Sequence, residues 1–488
     1  MAKFSLIKKD PQRVKADLLV AGIYDGEEKR LAAIDRKLRG AVSRGVERSR
    51  GLRLGSFFKI DTMGGIAAVE LMVAGLGKRK SFSDPADFFK AASVAAKNAG
   101  SHVKKLVLDF PVSNSTPALR ALMEGALLGS YEFSRYKSEP APQSGADEIS
   151  VVSGVSEKSF KSSALRSESV ASAVRMCRDL VNEPPANLTP AALADRAQEM
   201  CSDSGLECSV IHPHEMEEKG MGGILAVGAG SSNPPRLIHM TYRPARAKRS
   251  RPLAIVGKGI TFDSGGLSLK PAEAMRTMKM DMSGAAAVIG AMKAVAGLKP
   301  SVTVHGIVGS AENMTGPSAY RPDDVVRPMN GKTVEIVNTD AEGRVVLADA
   351  LSYAVEEGAK EIIDLATLTG ACVVALGMNT AGVMGNSEKV INGIKRSSAR
   401  AGENVWELPL SADLRKDIES DIADIKNAGN RWGGAITAAL FLEHFVSDTP
   451  WAHLDIAGPA YLERGNDWYP KGASGFGVRT LVDYISEK

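Results

Sequence analysis

The chain has 488 residues, more than a single hydrophobic core usually serves, so its length predicts two domains. Hydrophobic residues make up 44% and charged residues 24%, which are the proportions of a soluble globular protein. With 61 basic and 57 acidic residues the net charge is +4, so the overall charge gives no support to a nucleic-acid-binding protein.

The cysteines and the apolar runs argue against a disulfide-rich secreted protein and against a membrane protein. Four cysteines are widely spaced without a CxxC pair, which favours reduced, mostly buried thiols over a zinc site or a disulfide framework. No apolar run reaches membrane-spanning length, and the N-terminal sequence lacks the long apolar segment of a signal peptide. We therefore expect a cytoplasmic protein with no membrane partner.

In the first third of the chain, short apolar runs alternate with helical patterns. The runs typical of strands are 17–25, 67–77 and 104–112, and helical spacing covers 34–47, 85–99 and 118–136. This alternation predicts a small α/β domain with a largely parallel sheet.

The segment 137–169 is rich in Ser, Pro, Glu and Lys, which is typical of a domain edge or an exposed connection. A helical run over 170–181 follows and ends at two consecutive prolines. The threonine–proline pair at 189–190 then provides the N-cap and the first residue of a new helix. We expect an N-terminal domain over 1–165, and a linking helix with a second domain over 166–488.

The rest of the chain repeats the alternation more strongly. Apolar runs and helical spacing predict strands at 253–260, 302–310, 361–370 and 451–459 and helices at 284–296, 344–356 and 435–446. The predicted fold class is α/β, with a smaller N-terminal α/β domain and a larger C-terminal α/β domain. The sheet of the larger domain should be mixed, largely parallel and flanked by helices.

Charged residues cluster in a glycine-rich turn after the first of these strands. In VGKGITFDSGGLSLKP (256–271) the strand passes through Lys258, and Asp263 and Lys270 follow it. Asp281 comes shortly afterwards, before a predicted helix. Ligand sites in open α/β sheets lie outside the carboxyl ends of strands, where this segment belongs. The glycines allow the backbone to approach a bound group closely.

A second cluster lies in EIVNTDAEGRVVLADAL (335–351), where Asp340, Glu342 and Arg344 occupy alternate positions. On extended backbone this spacing places the three side chains on one face, at another turn between a strand and a helix. Two carboxylates on one face repel each other, and a divalent cation is the obvious reason to hold them together.

Each of these residues also has a purely structural interpretation. Asp263 could form an Asx turn, and Asp281 and Asp340 could cap helices. Glu342 could favour a helix N-terminus, and the lysines and the arginine could be solvated charges. The concentration of four carboxylates and three cations in strand-end turns of one domain favours a ligand site instead.

The seven histidines show no HExxH or other paired metal spacing, which disfavours a histidine-rich zinc protease. His239, His305 and His453 lie in strand-like apolar runs and are interpreted as core residues. A carboxylate-rich site suits Mn²⁺, Mg²⁺ or Zn²⁺, and the ligand type alone does not choose among them.

At this point the sequence resembles a known family. NTDAEGRVVLADAL (338–351) is similar to the signature of the leucyl aminopeptidases, the cytosol aminopeptidase family, and the segment 256–271 is similar to the metal-binding loop of that family. Shorter similarities include VNEPPANLTP, DLATLTGACVVALG, WAHLDIAGPA and KGASGFGVRTL. The strong resemblance covers 175–488, and it implies an exopeptidase that removes the N-terminal residue from peptides.

The resemblance implies two divalent metal ions per subunit, Mn²⁺ or Zn²⁺. One ion would be held by Lys258, Asp263, Asp281 and Glu342. The other would be held by Asp263, Glu342 and both the side chain and the main-chain carbonyl of Asp340, and a water bridging the two ions would become the nucleophile. Lys258 can bind metal only as a neutral amine, so its pKa must fall several units from about 10.4, and a dication beside it supplies that shift.

Lys270 and Arg344 would be the catalytic pair. The resemblance implies that Lys270 polarises the scissile carbonyl and stabilises the oxyanion. A bicarbonate ion held by Arg344 would carry the proton, and a fork-shaped guanidinium suits a small planar anion.

The resemblance also implies a side-chain pocket and an assembly. The pocket would accept Leu and Met side chains, although Met278 could equally be a core residue. The expected assembly is a homohexamer with the larger domains packed at its centre. The residues implied for the pocket are Met278, Thr367, Gly370 and Ala460.

Two alternatives remain open beside peptide hydrolysis. Carboxylate pairs also serve two-metal phosphoesterases, although a lysine at a ligand position argues against that reaction. The basic segment 243–251 (RPARAKRSR) is the feature that an additional DNA-binding role would use. We expect peptides, and not DNA, to be the main partners.

Overall fold

The computed structural model describes residues 2–49, 51–79, 85–112, 114–139, 145–245 and 251–488. The chain folds into two compact units. The C-terminal unit consists of Ser172–Ala399, Glu403–Glu463 and Gly472–Lys488. The N-terminal unit consists of Met1–Ala171 and two later segments, Arg400–Gly402 and Arg464–Lys471.

The described residues of the N-terminal unit form one sheet of six strands: β1 (Lys3–Ile7), β2 (Ala16–Ile23), β3 (Phe57–Asp61), β4 (Ala68–Gly75), β5 (Lys105–Asp109) and β6 (Glu148–Val152). Their order across the sheet is β1–β6–β5–β2–β4–β3. Every neighbouring pair is parallel except β3 and β4. The largely parallel sheet predicted for this part of the chain is therefore present.

The helices that belong wholly to this unit differ in two places from the predicted ones. The helix predicted over 34–47 is two short helices, because Arg39 and Gly40 have φ values of 52° and 78°, a left-handed conformation that interrupts an α-helix. The helix predicted over 118–136 ends at Leu128, where a glycine and a serine follow. The helices are α1 (Ala32–Lys37), α2 (Ala41–Arg48), α3 (Pro85–Lys97) and α4 (Thr116–Leu128).

The segment 137–169 is not the exposed connection that its composition predicts. It contains β6 and the first part of α5 (Glu157–Asn182), while residues 140–144 lie outside the described part of the chain. The hydroxyls of Ser150 on β6 and Ser5 on β1 are hydrogen-bonded at 2.7 Å, and Ser163 and Ser167 on α5 are buried. Serine can pair its hydroxyl on the surface of a sheet or occupy a packed position on a helix, so a Ser-rich composition did not distinguish this strand and helix from a loop.

The late segment Arg464–Lys471 packs against α3 within the N-terminal unit. The rings of Tyr469 and Phe89 have centroids 6.0 Å apart, and Lys97 Nζ donates to the carbonyl of Asn466 at 2.9 Å. Residues close to the end of the chain therefore complete the unit that the beginning of the chain starts.

The described residues of the C-terminal unit form a mixed sheet of eight strands, in the order β15–β14–β17–β13–β9–β10–β8–β7: β7 (Glu207–Ile211), β8 (Arg236–Tyr242), β9 (Leu253–Asp263), β10 (Val304–Asn313), β13 (Glu361–Ala366), β14 (Thr380–Gly385), β15 (Asn404–Glu407) and β17 (Trp451–Asp455). The central strands β17, β13, β9 and β10 are parallel. Their carboxyl ends therefore lie along one edge of the sheet. Two smaller sheets are formed by β11 (Val325–Val326), β12 (Val334–Glu335) and β16 (Ile425–Lys426), and by β18 (Tyr461–Leu462) and β19 (Gly472–Ala473).

Helices accompany this sheet, and the first of them begins as predicted, because the Thr189 hydroxyl accepts a hydrogen bond from the Ala192 N–H at 3.3 Å. In chain order the helices are α6 (Pro190–Ser204), α7 (Pro213–Glu218), α8 (Gly222–Gly228), α9 (Ala272–Met275), α10 (Ser283–Leu298), α11 (Glu342–Glu356), α12 (Gly370–Leu376), α13 (Glu388–Ala401), α14 (Gly434–Glu443) and α15 (Val478–Ser486).

Helix α10 belongs to the core of the C-terminal unit. Together with the turn before it, Met278–Leu298 is the helical segment of the described residues that is long and apolar enough to span a membrane, with a mean hydropathy of 1.2. However, 78% of this segment is buried inside the fold, where α10 packs against β9, β10 and α15. An apolar helix buried in this way has the character of a core helix.

Two glycines allow α10 to approach the central strands closely. A Cβ atom at Gly257 would lie 2.6 Å from the carbonyl oxygen of Gly284, and a Cβ atom at Gly284 would lie 2.0 Å from the carbonyl oxygen of Leu365. Side chains at either position would therefore force the helix away from the sheet. This close contact sets the distance between β9, which carries Lys258, and the turn before α10, which carries Asp281.

We expect Gly284→Ala to lower the free energy of unfolding by about 1–3 kcal/mol, because the added methyl group must push α10 away from β13. Gly370→Ala is the matched control, since a Cβ atom at this helical glycine meets nothing within 4 Å. The midpoint of thermal unfolding should fall for Gly284→Ala and hold or rise for Gly370→Ala. Equal midpoints would contradict the close packing.

Candidate functional site

The charged residues of the first sequence cluster lie at the carboxyl ends of the central strands. Strand β9 carries Lys258 and ends at Asp263, and β10 ends at Asn313, which is the register partner of Asp263. Thr367 directly follows β13. Since these strands are parallel and adjacent, their ends bring the four residues to one place.

The second cluster reaches the same place from the start of a helix. The prediction that Asp340, Glu342 and Arg344 share one face of extended backbone is wrong, because α11 begins at Glu342 and Arg344 lies in its first turn. Asp340 lies in the turn before the helix. A turn followed by a helix can still direct Asp340 and Glu342 to one point, although their alternate spacing in the sequence does not by itself predict this.

Asp281 and Asp340 do not act as helix caps. The N-cap residue of α10 is Met282 and that of α11 is Ala341, and neither makes a side-chain capping hydrogen bond. The two carboxylates are therefore directed elsewhere.

Three carboxylates converge at the centre of the site. One oxygen each from Asp263, Asp340 and Glu342 lies within 4.8 Å of the others, and Asp263 and Glu342 expose only 2% and 1% of their surface. Oδ1 of Asp263 accepts hydrogen bonds from the Gly265 N–H and from Asn313 Nδ2, each at 2.8 Å. The Asx turn at Asp263 is thus present as well, and it orients the carboxylate.

Lys258 joins Asp281 to this cluster. Its Nζ lies 2.8 Å from Asp281 Oδ1 and 2.9 Å from Glu342 Oε1, and it donates to the Thr367 carbonyl at 2.9 Å. The Thr367 hydroxyl donates to the same Asp281 oxygen at 2.7 Å. A Cβ atom at Gly343 would lie 2.4 Å from Cε of Lys258, so this glycine makes room for the lysine.

Lys270 occupies the other side of the carboxylates. Its Nζ lies 2.8 Å from Asp263 Oδ2 and 2.6 Å from Asp340 Oδ1. Its side chain is 14% exposed, more than the side chain of Lys258 at 4%. The two lysines therefore differ in access to solvent, and Lys270 lies closer to the opening of the site.

The residues present fit a divalent metal centre. Asp281 Oδ2 and Glu342 Oε2 are buried and have no hydrogen-bond partner in the described part of the chain. Buried carboxylate oxygens without a partner are costly, and a cation would satisfy them. Carboxylate oxygens together with a lysine nitrogen suit Mn²⁺, Mg²⁺ or Zn²⁺.

The titration of the cluster shows how strongly its charges interact. Burial, helped by repulsion from Asp263, raises the pKa of Glu342 to about 8, and burial raises the pKa of Asp281 to about 6. Burial opposes the charge of Lys258, but Asp281, Glu342 and Asp263 outweigh it and raise the pKa of this lysine. A divalent cation would lower the pKa of the carboxyl groups, because it stabilises carboxylates. It would also lower the pKa of Lys258, because it repels an ammonium group.

Arg344 is buried beside the cluster. Burial lowers its pKa to about 10, against the opposing effect of Glu342 and Asp455. Its Nε has no hydrogen-bond partner among the described residues. A buried guanidinium with an N–H donor to spare is suited to a small anion.

The residues that tie the loops of the site together were not predicted from the sequence. Asn313 Nδ2 and the Tyr320 hydroxyl both donate to the carbonyl of Thr339 at 2.9 Å. The Thr339 hydroxyl donates to the carbonyl of Gly265 at 2.6 Å. The position of Asn313 offered a signal, because it ends the strand next to β9, and ligand sites gather at such ends.

The implied pocket residues lie on separate segments of the chain. Thr367 is joined to Asp281 directly. Met278 is half-buried and lies just before Asp281, and Gly370 begins α12 with open space around its Cα. Ala460 is buried shortly after β17.

Comparison with known sequences matches both units of the chain. Residues 175–482 match the catalytic domain of the cytosol aminopeptidase family, and residues 20–140 match the N-terminal domain of that family. A probable cytosol aminopeptidase from Aquifex aeolicus (strain VF5) is 43% identical over 98% of this chain and 97% of its own length. Another from Solibacter usitatus (strain Ellin6076) is 42% identical over 98% of each chain.

Solved structures agree with the sequence matches. A variant of tomato leucine aminopeptidase has a TM-score of 0.91 and 33% identity, covering 100% of this chain and 97% of its own. The bottromycin maturation enzyme BotP, in complex with Mn, has a TM-score of 0.86 and 37% identity, covering 97% and 99%. Since the matches extend over both domains and nearly the full length, this chain belongs to the cytosol aminopeptidase family.

Proposed function

We propose that this protein is a metal-dependent aminopeptidase that hydrolyses the N-terminal residue of peptides, preferably a residue with a Leu-like or Met-like side chain. The observation that supports this most strongly is the buried convergence of Asp263, Asp340 and Glu342 beside two lysines. Membership of the cytosol aminopeptidase family supplies the class of reaction.

Two divalent ions, Mn²⁺ or Zn²⁺, are the proposed cofactors. Lys258, Asp263, Asp281 and Glu342 would hold one ion, and Asp263, Asp340 and Glu342 would hold the other. The related enzyme BotP was solved in complex with Mn, which supports Mn²⁺ as a cofactor. Bound metal supplies Lewis acidity and lowers the pKa of water towards neutrality.

Lys258 would serve as a ligand in its neutral form. The Thr367 carbonyl accepts one of its N–H groups at 2.9 Å, which orients the amine nitrogen towards Asp281 and Glu342. The Lys258 side chain packs closely against Gly343, so its amine has little freedom to move away from Asp281 and Glu342.

Lys270 is proposed to stabilise the charge that develops on the substrate carbonyl oxygen. Burial lowers its pKa, but the neighbouring Asp263 and Glu342 outweigh burial and raise it, so the ammonium group stays charged at neutral pH. A positively charged donor that is partly open to solvent can donate to the oxyanion.

Arg344 is proposed to bind bicarbonate as the proton carrier. It is buried near Glu342 and Asp455, and its Nε has no hydrogen-bond partner among the described residues. A planar anion with two adjacent oxygens would match the guanidinium fork.

The substrate would enter with its free amino terminus first. The free α-amino group of the substrate would bind at the metal centre as a neutral amine, and an internal peptide bond offers no such amine, which selects chain ends. Gly370 leaves open space at the wall of the proposed pocket, and Met278 offers a flexible apolar surface. The proposed pocket residues are Met278, Thr367, Gly370 and Ala460.

We further propose a cytoplasmic homohexamer in which domain 1–165 serves assembly or regulation and 166–488 carries the chemistry. Light scattering that gives six chains per particle would support this assembly, and a monomer would oppose it. The alternative role in DNA binding depends on 243–251, of which 246–250 lie outside the described residues. Arg243 in that segment lies 3.4 Å from Glu207, and this ion pair reduces the positive charge that the segment could offer to DNA.

The test of the proposed function is hydrolysis of leucine p-nitroanilide by metal-stripped protein, with and without added Mn²⁺ or Zn²⁺. We expect activity only with metal, and a loss of more than about 100-fold in Asp340→Ala, because the variant removes a direct ligand. Asp195→Ala is the matched control, since Asp195 is exposed on α6 and far from the strand ends in sequence. Hydrolysis of p-nitrophenyl phosphate without peptidase activity would favour the phosphoesterase instead.

Lys270→Met tests the proposed role of the ammonium group. Methionine keeps the length of the side chain but cannot donate to an oxyanion, so kcat should fall by about 10²–10³-fold while KM changes little. Lys360→Met, at an exposed position, is the control. If KM rose and kcat held, Lys270 would bind the substrate without stabilising the transition state.

A further inference from the structure

A second cluster of metal-binding side chains lies away from the carboxylate centre. It consists of His239 on β8, His305 on β10 and Glu357, which directly follows α11. Each offers one ligand atom, and the three atoms lie within 4.8 Å of one another. His305 is the second residue of β10, whereas Asn313 at the carboxylate centre is its last, which separates the two places by about 26 Å along the strand.

The register of the sheet brings the two imidazoles together. Strands β8 and β10 are antiparallel with His305 opposite Thr241, so His239 is a diagonal neighbour on the same face. His239 Nε2 lies 2.9 Å from His305 Nδ1. Two nitrogen ligands of a tetrahedral zinc ion, each bonded at about 2.0–2.1 Å, are about 3.3 Å apart. The distance between the two nitrogens is therefore about 0.4 Å shorter than that between two zinc ligands.

Hydrogen bonds orient His239 for this role. Its Nδ1 lies 3.1 Å from the Tyr353 hydroxyl, and the two rings meet edge to face with centroids 5.4 Å apart. The Tyr353 hydroxyl is in turn hydrogen-bonded to Glu357. In the tautomer with its proton on Nδ1, His239 donates to Tyr353, and the lone pair of Nε2 faces His305 and the Thr241 hydroxyl, which lies 3.1 Å away. Metal-binding histidines commonly have their tautomer fixed by such an outer hydrogen bond.

The charges around the cluster are compatible with a cation. His239 and His305 are 8% and 4% exposed, and burial lowers the pKa of both, so the rings are neutral at pH 7 as metal ligands must be. Glu357 is exposed, so it contributes a negative charge and an approach from solvent. Of the cations nearby, Arg243 is paired with Glu207 at 3.4 Å.

Lys219 is the second cation near the cluster. Its Nζ lies 6.0 Å from the centroid of the Tyr353 ring. Its positive charge is directed at the ring, an arrangement that a cation–π interaction stabilises.

We propose that His239, His305 and Glu357 form a zinc site separate from the carboxylate centre, with solvent completing the coordination. Two imidazoles and one carboxylate form a ligand set that zinc accepts, with a fourth position left for water. The site would connect two strands of the sheet to the C-terminal end of α11. Its role would be structural, because it would hold that end of the helix against the sheet.

The test is equilibrium dialysis of the protein against Zn²⁺, with bound zinc counted by mass spectrometry. Glu357→Gln removes the exposed ligand, and Glu356→Gln is the matched control, since it changes the same charge at the neighbouring exposed position. We expect the unmodified protein and Glu356→Gln to bind one more zinc ion per chain than Glu357→Gln. The zinc Kd at this site should rise more than about tenfold in Glu357→Gln.

Further variants separate this site from the carboxylate centre. His305→Asn should lose the same zinc ion as Glu357→Gln, with circular dichroism and hydrolysis of leucine p-nitroanilide showing that the variant is folded. Asp340→Ala should still bind a zinc ion at the histidine site. Equal zinc counts in the unmodified protein, Glu357→Gln and His305→Asn would overturn the proposal, as would an Asp340→Ala variant that binds no zinc.

Discussion

Four carboxylates and two lysine ammonium groups share a buried space at the ends of β9 and β13, and their mutual neutralisation constrains the structure around them. Lys258 lies between Asp281 and Glu342, and Lys270 lies between two other carboxylates. Each ammonium group therefore faces two carboxyl groups, so the carboxyl groups outnumber the two ammonium groups. Charge that is buried in this way is costly in a medium of low dielectric constant. A dication takes up such an excess, which explains why the same residues that repel each other fit a metal centre.

The sheet determines where the residues of the site lie. Parallel strands bring Asp263, Asn313 and Thr367 to one edge, although they are far apart in the sequence. Glycines then set the distances, because Gly284 lets α10 approach the strands and Gly343 leaves room for Lys258. Lys258 and Asp263 lie on β9 and Glu342 begins α11, a placement that favours a fixed arrangement of these ligands.

The sequence predicted much of this centre because its signals are local. Apolar runs marked the central strands, and the charged turns stood at their ends. The spacing of Asp340 and Glu342 was misread, because nothing in two alternate carboxylates shows whether a strand or a helix follows. The hydrogen bonds of Asn313 to Thr339 join segments that only the folded sheet brings together. The strand β6 escaped prediction for a related reason, since its serine, Ser150, is hydrogen-bonded to Ser5 on a strand that is far away in the sequence.

The late segment Arg464–Lys471 has a consequence for how the protein is made. It lies on α3, where Tyr469 meets Phe89, yet a ribosome synthesises it several hundred residues after that helix. Domains generally fold in the order in which they emerge. Here the earliest domain cannot cover α3 until almost the whole chain has been translated. In the nascent N-terminal unit, the surface of α3 that contacts this segment therefore stays exposed while the larger unit is synthesised.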